Sequence, residues 1–130
     1  MQDLIAYRLE RARDALVEAR VMQDIGHPNA CVNRIYYACF YAVSALLVAH
    51  GYSSAKHSGV RSLFGRHFVN TGLIARDLGR FYSHLFESRQ ESDYVDFVRV
   101  DSDELAPMFE VAARFIAAVE ALIPEAPSSG

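Results

Sequence analysis

The sequence predicts an all-α protein, a five-helix up-and-down bundle, on three observations. Residues 30–49, ACVNRIYYACFYAVSALLVA, are apolar on nearly every side, with Asn33, Arg34 and Ser44 as the strongly polar exceptions. The segments around this run carry apolar residues at steps of three and four, the spacing of one helix face. Short Gly, Pro and Ser punctuations separate them, which makes consecutive helices antiparallel neighbours.

A helix apolar all round has to be enclosed by other helices, by lipid, or by a second copy of the protein. Ile35 to Ala49 carries no charge. It is nevertheless shorter than the roughly 18 residues that cross a bilayer, and it is studded with Tyr. The expectation is the central helix of a soluble bundle, with no membrane role. Arg34 near its start then needs a partner or an opening to water.

The first helix is expected from Asp3 to Gln23, with Asp3 as N-cap and Ile5, Leu9, Ala12, Leu16 and Ala19 as its buried stripe. Gly26, His27 and Pro28 stop it and start the second, Asn29 to His50, which Gly51 ends in the left-handed conformation. A third helix, Ala55 to Asn70, turns Val60, Leu63, Phe64, His67 and Phe68 inward. Gly59 inside it costs about 1 kcal/mol against Ala, which suggests a close backbone approach to the second helix. A fourth, Ile74 to Gln90, buries Leu78, Phe81, Tyr82, Leu85 and Phe86, with Arg76, Arg80 and His84 on another face. Residues 93–101, DYVDFVRVD, alternate in character, but a lone strand has nothing to pair with here, so they are expected as a loop. Asp101 or Ser102 caps a fifth helix with Leu105, Met108, Phe109, Ala112, Phe115, Ile116, Val119 and Leu122 inward, and Pro107 blurs its start.

At 130 residues the chain is expected to form a single domain, residues 3–123, followed by a flexible tail, 124–130. A net charge of −3 and a pI near 5.9 argue against a broad basic surface that coats nucleic acid. A local basic pocket remains compatible. All but two of the thirteen Lys and Arg precede position 90, and acidic residues crowd the chain beyond it. Cys31 and Cys39 lie eight apart on one helix, about 12 Å along its axis, too far to bridge, and read as buried thiols of a reducing cytoplasm. The first sixteen residues carry charges throughout and no apolar core of a signal peptide.

Site chemistry is sparse. No Glu stands three residues before a His, there is no His-Glu-x-x-His and no paired Cys-x-x-Cys, so neither a metal nor another cofactor is expected. A Gly-rich phosphate loop and a Gly-x-Ser-x-Gly elbow are also missing. Tyr36, Tyr37 and Tyr41 are first of all packing residues with a polar tip, although a Tyr-lined groove with Arg nearby also suits unpaired bases. Arg61 and His67 form an Arg-x5-His pair, but six helical steps set them about 120° apart, and they are expected to be coincidental.

Four motifs in order resemble an uncharacterised HEPN-type family. They are Asn33-Arg34-Ile35-Tyr36-Tyr37-Ala38-Cys39-Phe40 with Ala45-Leu46-Leu47, then Lys56-His57-Ser58-Gly59-Val60, then Leu63-Phe64 with His67-Phe68-Val69, then Ser88-Arg89-Gln90-Glu91-Ser92-Asp93-Tyr94. The resemblance implies a HEPN-like bundle, a four-helix core plus a short additional helix, from a bacterium or archaeon. It implies a homodimer, often with a nucleotidyltransferase-type partner protein in a toxin-antitoxin or defence setting, and links to nucleotide binding and RNA cleavage. Arg34, Tyr37, Lys56, His57 and Arg89 are then the candidates for holding nucleotide or RNA.

Ribonuclease members of that family carry Arg, four to six residues, then His near the end of the fourth helix. Here Arg89 is followed by Asp93 and by Tyr94 at the His position. An ordinary tyrosine, with a pKa of about 10, is a poor base near neutrality. No catalytic residue is therefore assigned, Arg89, Asp93 and Tyr94 are weak candidates, and a non-catalytic binding module is the first expectation. A ribonuclease in which Asp93 or Tyr94 replaces the imidazole is the alternative. A structural role for the same residues, with a nearly buried Arg34 neutralised by Asp93 and Tyr94 filling the gap, ranks ahead of a functional cleft.

Overall fold

The computed structural model describes residues 2–94 and 102–124, and the side chains of these apart from 89–94 and 102. Among the described residues there are five α-helices and no strand: α1 (Gln2–Asp24), α2 (Pro28–Ala49), α3 (His57–Phe64), α4 (Arg76–Tyr94) and α5 (Leu105–Glu120). A π-helical turn, Gly65–Val69, continues α3, and a 3-10 turn, Ser102–Glu104, leads into α5. The expected loop at 93–101 and tail at 124–130 fall mostly outside the described residues, although Asp93 and Tyr94 belong to the last turn of α4.

The bundle is organised around α2. Its Cys31, Ile35, Tyr36, Ala38, Cys39, Ala42, Val43, Ala45 and Leu46 are fully buried, and α1, α3, α4 and α5 all pack on it. This helix alone among the described residues is long and apolar enough to cross a membrane, yet 72% of its most apolar window is covered by the bundle. It is the core helix of the fold. Asn33, Arg34, Tyr37, Phe40 and Tyr41 make its half-buried strip, at the helical spacing that leaves one side at the rim.

α1 meets α2 through Ala12, Ala15 and Ala19, all with no exposure, flanked by half-buried Ile5, Leu9 and Leu16. Small residues at the contact let the two backbones approach closely. Gly26 (φ +81°) and Gly51 (φ +84°) close α1 and α2 in the same way. His27 N–H donates to Met22 O and Gly26 N–H to Gln23 O, while Tyr52 N–H donates to Leu47 O and Gly51 N–H to Val48 O, the paired bonds of a Schellman stop.

The α1–α2 hairpin has a definite register. Arg8 donates to the hydroxyl of Ser44, the Arg11 guanidinium lies 5.3 Å from the Tyr41 ring centre, and Arg34 reaches Glu18 at 3.2 Å. Each step forward along α1 in these pairs is matched by an equal step back along α2, as it must be for residues facing across one antiparallel hairpin. Ser44, the buried polar side chain of α2, is satisfied in this way by α1.

Two expectations for the third helix are corrected. It is α-helical only to Phe64; the next five residues widen into a π turn, marked by Asn70 N–H donating to Gly65 O at 2.8 Å. Gly59 does not serve an approach to α2, because a Cβ there would collide with the Oγ of Ser54 in the preceding turn. Ile74, the expected start of the fourth helix, is buried but lies ahead of α4, which starts at Arg76. In α5, Pro107 sits in the first turn, where its missing N–H would have had no helical partner. Leu105, Phe109, Ala112, Phe115, Ile116 and Val119 are buried, and Met108 and Leu122 border them.

Candidate functional site

The N-terminal half of α2 and the start of α3 build one aromatic and cationic cluster. The Arg34 guanidinium lies 4.8 Å from the Tyr37 ring centre, one helical turn on, within cation–π range. It also donates to Glu18 Oε1 at 3.2 Å and to Asn33 Oδ1 at 3.1 Å, so α1 helps to aim it. Its side chain is 28% exposed, a rim position and not the nearly buried one expected.

His57 opens α3 and is held from several directions. Its ring is stacked on Phe40 at 4.2 Å and 6°, meets the Tyr37 ring edge-on at 5.7 Å, and places Nδ1 2.8 Å from the Tyr36 hydroxyl. Such a sandwich fixes both the position and the plane of the imidazole. Lys56, exposed, is the N-cap residue immediately before it; its N–H donates to Ser54 Oγ at 3.2 Å, and the Ser54 hydroxyl donates back to Lys56 O at 3.3 Å. The turn before α3 is thereby braced.

Behind the cluster lies a buried aromatic stack. Tyr36 stacks on Tyr82 of α4 at 5.9 Å, and Tyr82 on Phe115 of α5 at 5.6 Å. The Tyr82 hydroxyl has no hydrogen-bond partner among the described residues. Burial pushes its pKa well above that of an ordinary tyrosine, and the nearby Tyr36 and Cys39 add to the rise. Burial also pushes the Cys31 and Cys39 thiols up, Cys39 much the further. Neither is a poised nucleophile.

Three of the five expected ligand-holding residues, Arg34, Tyr37 and His57, thus come together, and Lys56 adjoins His57 in the chain. Arg89, Asp93 and Tyr94 lie on the last turns of α4, and their side chains, with the expected Arg34–Asp93 pair, fall outside the described residues. Arg61 and His67 do not converge: Arg61 lies 4.3 Å over Phe86 and 3.7 Å from Glu87, whereas His67 stacks on Tyr52 at 4.2 Å. Sequence reading misses Glu18 as a partner of Arg34 and Phe40 as the platform of His57. The hairpin register, once the turn is placed at residues 25–27, points to Glu18. No group of three His, Cys, Asp or Glu able to hold a metal occurs among the described residues.

A five-helix bundle with its most apolar helix inside and an Arg-Tyr-His cluster at the rim of that helix defines the class: a small all-helical domain whose candidate site lies along the core helix. The chain belongs to the HEPN-domain family, which it matches over residues 5–122. It is 41% identical over 124 residues to a UPF0332 protein of Thermotoga maritima, covering 95% of this chain and 94% of that one. It is also similar to two proteins of Methanocaldococcus jannaschii named as putative toxins. One is 29% identical over 96 residues, 74% of this chain and 65% of the relative. The other is 34% identical over 86 residues, 66% of this chain and 64% of the relative.

Proposed function

We propose that this chain is a homodimeric, cytoplasmic HEPN binding module that engages a nucleotide or unpaired RNA through Arg34, Tyr37, Lys56 and His57. It acts with a partner protein of nucleotidyltransferase type in a toxin-antitoxin or defence setting. The observation that carries the ligand reading is the convergence of Arg34, Tyr37 and His57 at one rim of α2, with Lys56 adjoining. A cation beside an aromatic ring at a partly open edge suits a phosphate next to a stacked base.

The dimer reading draws on α1, whose outer side exposes Tyr7, Val17 and Val21 away from the alanine stripe, with exposed Ile25 just past its end. Fluorescence anisotropy with a short labelled single-stranded RNA and with a labelled nucleotide tests the ligand reading. Tyr37→Ala is expected to weaken binding by about tenfold, the worth of one stacked base. Unchanged affinity in Tyr37→Ala, or no binding by the unaltered protein, overturns it. Co-purification with a co-expressed nucleotidyltransferase-type protein tests the partner.

A second reading is favoured by the names of the two Methanocaldococcus relatives. It is a ribonuclease in which Arg89 stabilises developing phosphate charge and Asp93 or Tyr94 takes the place of the missing imidazole. RNA cleavage by the unaltered protein that is lost in Arg89→Ala supports it. Equal cleavage in both, or none in either, removes it.

A further inference from the structure

A concave feature lies away from that cluster, between the α3 and π-turn segment and α4. It is a cleft of about 560 Å³ whose lining includes Arg61, Asn70, Arg76, Arg80 and Ser83 but, among the described residues, no carboxylate. That volume is in the range of small-ligand sites. Three arginines line this one small space in a chain whose net charge is −3. Arg76 and Arg80 stand one turn apart on α4, so their side chains project from the same helix side, both exposed. Arg61 lines the cleft from α3, packed over Phe86 at 4.3 Å and loosely paired with Glu87 at 3.7 Å, which leaves a net excess of positive charge.

The walls are held at a fixed spacing. A Cβ at Gly79 would come within 2.8 Å of Val69 Cγ1, so α4 rests directly on the π turn at this point. The aromatic residues that line the cleft, Phe64 and Tyr82, are 1% and 0% exposed, and neither offers an open face for a base to stack on. What the lining presents instead is fork-shaped cations with neutral polar groups from Asn70 and Ser83. That set matches tetrahedral oxyanions, because a guanidinium bonds two phosphate oxygens at once.

We propose that this cleft is a polyanion site that takes two or more linked phosphates, held by Arg61, Arg76 and Arg80. It shares no residue with the Arg34, Tyr37, Lys56 and His57 cluster and does not depend on that reading. Linked phosphates reach a protein either as the tail of a nucleotide or as neighbouring phosphodiesters of RNA. A longer acidic peptide fits the short cleft less well.

Isothermal titration with sodium tripolyphosphate, and anisotropy with a labelled single-stranded RNA, test the proposal on the full chain. Arg76→Ala and Arg80→Ala replace exposed side chains and are checked by thermal melting; Arg66→Ala, exposed on the π turn but not lining the cleft, is the control. The expected result is tripolyphosphate binding that weakens steeply with salt, falls about tenfold or more in each of the two cleft variants, and is unchanged in Arg66→Ala. RNA binding lost in the same two variants and not in the control supports the same site with phosphodiesters as its source. Three results overturn the proposal: no binding of either probe, equal losses in Arg66→Ala, or tighter binding of an oligoglutamate peptide than of tripolyphosphate.

Discussion

Tyr36 is the residue at which packing and site chemistry meet: its ring is fully buried against Tyr82, while its hydroxyl holds His57 at 2.8 Å. Its neighbour Tyr82 makes the clearest residue-scale prediction. The folded state resists forming the buried Tyr82 phenolate, so its folded pKa lies above the unfolded one. As pH rises through about 10 the unfolded chain releases this proton first, and stability falls by about 1.4 kcal/mol per pH unit until the folded pKa is reached. Below that range Tyr82 contributes no pH dependence. Tyr82→Phe should reduce the alkaline slope and leave stability at pH 7 equal or higher, because the hydroxyl it removes has no partner among the described residues. Urea titrations at neutral and alkaline pH check this, and an undiminished slope in the variant contradicts it. The two thiols give a companion test. With both buried and both pushed upward, neither should react with Ellman's reagent in the native protein, and both should react once it is unfolded.

At the level of elements, Gly79 is where α4 leans on the π turn. Gly79→Ala gains about 1 kcal/mol of helix propensity but drives a methyl into Val69, and overpacking of this kind costs about 1–3 kcal/mol. A net loss of stability is expected in the native background, and a gain in a Val69→Ala background, where the obstructing methyls are gone. Denaturant unfolding of both pairs measures the difference; a Gly79→Ala variant more stable than the parent without the second change contradicts it. The helices themselves are legible in the sequence because a period of 3.6 residues survives in α1, α4 and α5, and because no water-facing helix could carry a run like residues 30–49. The π turn is not legible, since Gly65–Val69 reads as ordinary helix and nothing in its residue types marks the extra width. Glu18 is hidden as a partner of Arg34 for a related reason. Charge alone does not say which of several carboxylates is near, whereas the hairpin register brings Glu18 to face it. The clustering of Arg34, Tyr37, Lys56 and His57 is legible as motif residues, but the stacking of His57 on Phe40 depends on how α3 turns back over α2. Nothing in the spacing of Arg61, Arg76 and Arg80 reveals that one cleft gathers them.

For the whole molecule, the unpaired outer face of α1 makes a prediction about assembly. Val21, 48% exposed among Val17 and Ile25, is at the middle of that apolar strip. Val21→Asp is expected to leave the fold intact, because the side chain faces water, and, if the proposed homodimer forms through this face, to shift it to monomer in light scattering after gel filtration; a parent protein that is itself monomeric contradicts the proposed dimer. A variant that remains dimeric moves the interface off α1. The same α1–α2 hairpin is closed from the far side by α5, whose Phe109, Phe115, Ile116 and Val119 are buried and which is further tied to α1 by Arg13 and Glu120 at 3.1 Å.

The order of these elements along the chain has a consequence for biosynthesis. The greasiest helix, α2, is synthesised well before α5, which seals it, so the nascent polypeptide carries a partly uncovered sticky rod until residues 105–120 have emerged. A product halted before residue 105 should accordingly accumulate in inclusion bodies or on chaperones to a greater extent than one carried through α5.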